Sequence, residues 1–337
     1  MTWFERLTGI SEQTPAHVRE QLRVENDTLV CPDGRQIVCG HLETPSLHEL
    51  RESGGRQKTV SGPIRVRQVV GDVQQLHCDS SNSGALFQVA SQFNLLEMAS
   101  PHATPERGVG IYESDRTQGP ACAIACGGGT IYRNYFAPVG QGADAAVGQS
   151  ANQQIDCSLD LGTRFDNADN QLWRMENGYL FPTNDGLEKI SLLLQSATEA
   201  EYRHLQGLLR IGLQLDAAVT LKGCDHLVSQ AYCSALPVAY GNQASHRWTD
   251  FAKLILESAY EATLWAAIEN RARTGSDRVY LTLLGGGVFG NDDQWIIGAI
   301  DRAIKMFNDS DLDVAIVSYG APKPIVSELV NKHAADS

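Results

Sequence analysis

Positive charge is scarce in this 337-residue chain: 27 Lys and Arg stand against 40 Asp and Glu, a net charge of −13. Non-specific binding to nucleic acid or to an anionic membrane needs a basic footprint, so neither partner is expected. Long apolar runs are also missing. No stretch reaches the roughly 18 apolar residues of a membrane-spanning helix. The opening Met1 to Gln13 has neither an apolar core nor a basic lead, so no secretory signal is expected and a cytoplasmic setting is. Eight cysteines are too sparse for a disulfide scaffold at this length. Cys122 with Cys126 and Cys31 with Cys39 have no matching second pair, and the nine histidines include no H-E-x-x-H. Buried thiols, no metal and no cofactor are therefore expected. Neither G-x-S-x-G nor G-x-x-x-x-G-K-[ST] occurs, which speaks against serine-elbow and P-loop chemistry. No internal repeat is visible.

What is present centres on Val279 to Asp293. A short run rich in β-formers enters Gly285-Gly286-Gly287 and leaves as a helix, with Ile297, Ile300, Ile304 and Phe307 at helical spacing. Asn291, Asp292 and Asp293 supply N-cap and first-turn chemistry. Such a strand-to-helix turn offers bare backbone N–H groups beside a positive helix end, where a diphosphate fits. Gly285, Gly287 and Gly290 also satisfy G-x-G-x-x-G, but a dinucleotide-binding fold carries that fingerprint in its opening βα unit. Here a single strand, Val314 to Tyr319, follows the loop, so that reading fails on position. The bland alternative is a turn made of glycine only for close packing.

The length allows one large or two modest domains. Residues 1–60 read as an ordered extension: a short helix from Ala16, a hairpin turning at Pro32 to Arg35, and a helix over 46–52. Ser53 to Lys58 reads as a flexible connection. Residues 61–330 read as the main domain. Its strands are expected at 64–70, 85–90, 210–220, from 230, 279–284 and 314–319, with helices at 119–125, 199–209, from Thr249 and 294–307. Leu95 to Gly119 is a long acidic loop, and loops of that length are functional or disordered. Residues 138–153 read as a surface loop, and the aspartates of 156–170 as a solvated face. Alternating strands and helices imply a layered α/β fold with a parallel or mixed sheet.

Three motifs in this order resemble the macrodomain superfamily, the ADP-ribose-binding α/β/α fold. They are Gly71-Asp72-Val73 after the first strand, Ala90-Ser91-Gln92-Phe93-Asn94 after the second, and Gly287-Val288-Phe289-Gly290 after a buried strand. The resemblance spans roughly residues 64–320 and implies a macrodomain-like three-layer α/β/α with a mixed sheet and an N-terminal extension. It places Asp72 on the adenine amino group, Asn94 on the distal ribose, and Gly286, Gly287, Val288, Phe289, Gly290 and Asn291 around the diphosphate. The usual glycine run after the asparagine is absent. Tyr112 to Pro120 and Tyr132-Arg133-Asn134-Tyr135 resemble instead a divergent branch containing bacterial-effector hydrolases that remove ADP-ribose from arginine of ubiquitin. Gln92 of the Ala90–Asn94 motif and Gln118, Gly119, Asn134 and Tyr135 of these segments are expected on the ligand. Tyr132 and Tyr135 suit a core better than an adenine-stacking platform.

That resemblance implies a metal-free ADP-ribosylhydrolase of the ADP-ribosyl-arginine glycohydrolase type, with ADP-ribosylated protein, ubiquitin included, as partner. Breaking the bond between ribose C1 and an arginine nitrogen develops oxocarbenium-like charge, which carboxylates stabilise while activating water. Asp115 and Glu113 are the expected carboxylates, Glu97 a third, with Asn94 on a ribose hydroxyl. The competing reading is a non-catalytic module that binds ADP-ribose or a related nucleotide. It shares the phosphate loop but has no need of acids near the ribose.

Overall fold

The strand-like runs pair into one seven-stranded sheet in a computed structural model that describes residues 1–57, 61–140 and 145–335. We number its strands β1 (His41–Glu43), β2 (Arg65–Val70), β3 (Leu86–Ala90), β4 (Gly212–Ala218), β5 (Leu227–Cys233), β6 (Arg278–Leu281) and β7 (Asp313–Ser318). Their order across the sheet is β1-β4-β5-β3-β6-β7-β2. The five strands from β5 to β2 are parallel; β4 runs antiparallel to β5, and β1 antiparallel to β4. Parallel neighbours need long crossovers, and the helices α1 (Leu47–Gln57), α2 (Gln118–Ala125), α3 (Gly127–Tyr135), α4 (Thr249–Thr274) and α5 (Asp293–Met306) lie within those connections or beside them.

Alternation along β3 shows how the layers form. Phe87 points to one face, where it stacks on His77 at 3.8 Å and on Tyr280 at 4.5 Å. Gln88 points to the other, where its amide donates to Thr263 of α4 at 2.8 Å. Successive strand residues face opposite sides, so α4 and the helix carrying His77 cover opposite faces. The mixed sheet with helices on both sides is the α/β architecture the alternating pattern implied.

Residues 1–57 do not stand apart from this core. β1 adds the edge strand beside β4, and Leu47 and Leu50 of α1 join the main hydrophobic cluster. The flexible connection expected over 53–58 is instead helical through Gln57, with Gly54 directly against the Trp265 ring; Lys58 lies outside the described residues, as do 141–144 of the expected surface loop. The earlier residues form a second cluster, in which Trp3, Phe4, Val18 and Leu29 pack with Val109, Tyr112, Ile131 and Tyr135.

The helix α3 opens with three glycines, a poor helix start by propensity. Space explains it. A Cβ on Gly127 would come within 2.7 Å of Trp3, on Gly128 within 2.9 Å of Ile37, and on Gly129 within 2.7 Å of Gln214. Glycine lets α3 lie flush between the N-terminal hairpin and β4. Gly129→Val is therefore expected to destabilise the chain by about 1–3 kcal/mol through overpacking. Chemical denaturation reads this directly, and an unchanged midpoint would show that the helix can shift at no cost.

Candidate active site

Ala90, Cys233 and Thr282 stand at the carboxyl ends of the adjacent parallel strands β3, β5 and β6, and all three line one cleft. Open α/β sheets bind ligands at this end. The cavity volume is about 200 Å³, below the roughly 300–1,000 Å³ typical of small-molecule sites.

One wall is the glycine-rich loop after β6. Gly285 (φ 70°) and Gly290 (φ 68°) take left-handed backbone conformations that suit glycine. The loop closes on itself: Gly286 N–H donates to Leu283 O, Gly290 N–H to Gly287 O, and Asn291 N–H to Gly285 O. The Asn291 side chain is buried and donates to Leu236 O at 2.7 Å, bracing the loop from behind. Among the described residues the N–H groups of Gly287, Val288 and Phe289 donate to nothing in the chain. Gly287, Val288 and Phe289 line the cleft, and around Gly287 a Cβ would meet no atom within 4 Å.

The opposite wall carries acid. Residues 92–98 fold into a tight turn in which the Gln92 side chain both donates to and accepts from the Met98 backbone, while Leu95 sits at φ 64°. That turn delivers Glu97 to the cleft. Its carboxyl is buried against Gly119, where a Cβ would lie 2.2 Å from Glu97 Oε2, and Glu97 Oε1 has no hydrogen-bond partner. Burial pushes the Glu97 pKa well above the carboxylate range, and repulsion from Asp115 adds to it; Arg133 and the Ser91 hydroxyl oppose the shift without cancelling it. Asp115 lines the same cleft, half-buried, and accepts from Thr117 N–H at 2.8 Å.

Arg133 supports this wall from inside. It is buried, lies 3.6 Å over the Tyr232 ring, and donates only to the neutral acceptors Leu95 O, Gln214 Oε1 and Thr130 Oγ1. Tyr112 Oη accepts from Glu97 N–H at 2.9 Å. A third side is aromatic: Tyr179, Tyr240 and Phe289 gather with ring centroids 5.4–5.8 Å apart. The cleft lining contains no Lys, Arg or His. Among the described residues no group of three or more His, Cys, Asp or Glu is arranged to hold a metal, and no helix is long and apolar enough to cross a membrane.

The structure thus brings Glu97, Asp115, Gln92, Gln118, Gly119, Gly287, Val288 and Phe289 to one cleft and leaves other expected site residues outside its lining. Glu113 is exposed on the N-terminal side, paired with Arg6 at 2.5 Å and accepting from Trp3 N–H. Asn94 is wholly buried; it donates to Gln154 and accepts from Leu96 N–H, holding the 92–98 turn together. Asp72 caps the helix Val73–Cys78 through Gln74 and Gln75 N–H and lines a separate shallow depression. Asn134, buried, donates to Pro105 O, and Tyr135, a member of the second cluster, donates to Glu12. Gly286, Gly290 and Asn291 shape the loop from its inner side. Gln118 reaches the lining, but its amide is committed to Ala90 N–H and Gln88 O. Asp156, read as part of a solvated face, is half-buried and bonded to Ser158, and that burial raises its pKa.

Sequence reading missed Tyr179, Tyr240 and Arg133. Tyr179 had a signal: Asn177-Gly178, both at positive φ, turns the hairpin from Trp173–Glu176 to Tyr179–Pro182.

No protein-family model matches the chain, and no curated protein does. The chain is similar to solved poly(ADP-ribose) glycohydrolases. The structure of the Deinococcus radiodurans enzyme in complex with ADP-ribose shares 10% identity over 88% of this chain and 94% of that one, at a TM-score of 0.44. The Thermomonospora curvata enzyme bound to the inhibitor ADP-HPD shares 12% identity over 94% of this chain and 97% of that one, at a TM-score of 0.40. What this cleft can do follows from its own residues.

Because Glu97 holds its proton more tightly in the fold than in the unfolded chain, it favours folding fully below the ordinary glutamate value of 4.5, and that contribution is lost as pH rises toward its elevated pKa. Glu97→Gln, neutral throughout, is expected to gain stability relative to the parent as pH rises above that value. Denaturation of both proteins across the pH range reads the difference, and parallel curves would mean that Glu97 is solvated.

Proposed function

We propose that the chain is an ADP-ribosylhydrolase that releases ADP-ribose from a modified protein side chain. One observation carries this reading: three unpaired backbone amides and two unequal carboxyl groups share one cleft. The amides of residues 287–289 hold the diphosphate, a role that suits a cleft without cationic side chains. The ribose then extends between the aromatic wall and the acids.

Two carboxyl groups with different environments divide acid and base work. Glu97, kept protonated by burial, gives its proton to the departing nitrogen as the C1–N bond breaks. Asp115 takes a proton from the water whose oxygen bonds to C1, and its charge stabilises the oxocarbenium-like transition state. Arg133, buried nearby, stabilises the Glu97 carboxylate that the transfer leaves behind. Arginine is the linked side chain in this reading, and ubiquitin the modified protein; both rest on the resemblance in 112–120 and 132–135. A non-catalytic module would share the amide loop, but the unpaired Glu97 carboxyl in the cleft wall favours catalysis.

Glu97→Gln and Asp115→Asn are each expected to lower kcat on ADP-ribosyl-arginine by about 10²–10⁴-fold. Calorimetry should find ADP-ribose binding nearly unchanged in both. Full turnover in either variant removes that residue from the mechanism, and ADP-ribose binding with no turnover in the parent protein selects the non-catalytic reading. Gly287→Glu tests the other wall. The open space there should keep stability within about 0.5 kcal/mol, while the added charge weakens ADP-ribose binding at least about tenfold; equal affinity would place the diphosphate elsewhere.

A further inference from the structure

The loop that presents Asp115 and supports Glu97 is held from outside by the first dozen residues. Glu12 reaches across with both oxygens: Oε1 accepts from Val109 N–H at 2.8 Å and from Tyr135 Oη at 2.8 Å, and Oε2 accepts from Gly110 N–H at 2.7 Å. The socket is shaped for that carboxylate. A Cβ on Gly108 would lie 2.6 Å from Glu12 Cδ, and one on Gly110 would lie 2.5 Å from Glu12 Oε2. Three further contacts join the same two segments. The Trp3 indole donates to Val109 O at 3.0 Å, Trp3 N–H donates to Glu113 at 3.1 Å, and Arg6 pairs with Glu113.

The held segment leads straight to both acids. Val109 precedes the short helical turn Gly110–Ser114, and within it Tyr112 Oη accepts from Glu97 N–H. Asp115 N–H donates to Tyr112 O at 3.1 Å, closing that turn one residue before the cleft. A carboxylate accepting two consecutive backbone N–H groups makes strong, directional bonds, so Glu12 fixes where the turn begins.

We infer that Glu12 is a positioning residue and that residues 1–12 form a strap setting the placement of Asp115 and Glu97 without touching the ligand. This rests on reading those two acids as the catalytic pair. The glycine-rich loop lies on the other wall, so the strap governs the chemical step and leaves ADP-ribose binding alone.

The test uses the full chain carrying Glu12→Ala or Glu12→Gln, assayed well below each variant's melting temperature. Glu12→Ala is expected to lower kcat at least about tenfold with ADP-ribose affinity held within about twofold. Glu12→Gln, which keeps one acceptor, should fall between it and the parent. Amide hydrogen exchange over residues 105–117 should quicken in the same order. Parent-like kcat in Glu12→Ala, or a fall in kcat matched by an equal loss of ADP-ribose binding, overturns the inference. Exchange is read without substrate, so it decides the strap even if the parent hydrolyses no ADP-ribosyl-arginine: unchanged protection over 105–117 refutes the strap, whereas an inactive parent refutes only the hydrolase.

Discussion

A carboxyl group pressed against a glycine, with one oxygen unbonded, is the constraint around which the site is arranged. Glu97 has no room to turn away, because Gly119 and the end of β3 close around it. Charging it there is unfavourable, so burial makes this carboxyl hold its proton more tightly than an exposed glutamate does. In the proposed reaction Arg133 stabilises the charge left once the proton leaves, and its field already opposes the rise in the Glu97 pKa. Its own hydrogen bonds go to neutral acceptors, which leaves its positive charge available to Glu97.

The two walls of the cleft come from different parts of the fold and do different work. The glycine loop follows β6 directly, is braced by Asn291, and offers backbone alone. The acidic wall is assembled from a turn after β3, the entry to α2 and a loop pinned by the N-terminal residues. Backbone amides bind an anion without adding a flexible cation, so a cleft lined by acids and no bases can still hold a diphosphate. The aromatic group of Tyr179, Tyr240 and Phe289 links the two walls.

The second hydrophobic cluster gives residues 1–57 a place in this scheme. Trp3 and Phe4 pack with Tyr135, and Tyr112 belongs to the same cluster while its hydroxyl meets the Glu97 backbone. The N-terminal extension is therefore continuous with the acidic wall of the cleft. Trp3, the hairpin residue Ile37 and Gln214 of β4 together account for the three glycines that open α3.

The sequence alone was enough for local matters. Alternation located β2 and β4, strand-like apolar runs located β3, β6 and β7, helical spacing located α4 and α5, a small-residue run located α2, and the glycine run after β6 announced an exposed-amide turn, because backbone conformation is set by neighbours in the chain. Which acids share a cleft was not local. Glu113 and Asp115 are two residues apart, yet one pairs with Arg6 outside and the other faces the cavity; Asn94 and Glu97 share one turn, yet only Glu97 reaches the lining. Those outcomes depend on partners distant in sequence, Glu12, Arg6, Gly119 and Gln154 among them, and on burial, which no spacing of residues along a chain encodes.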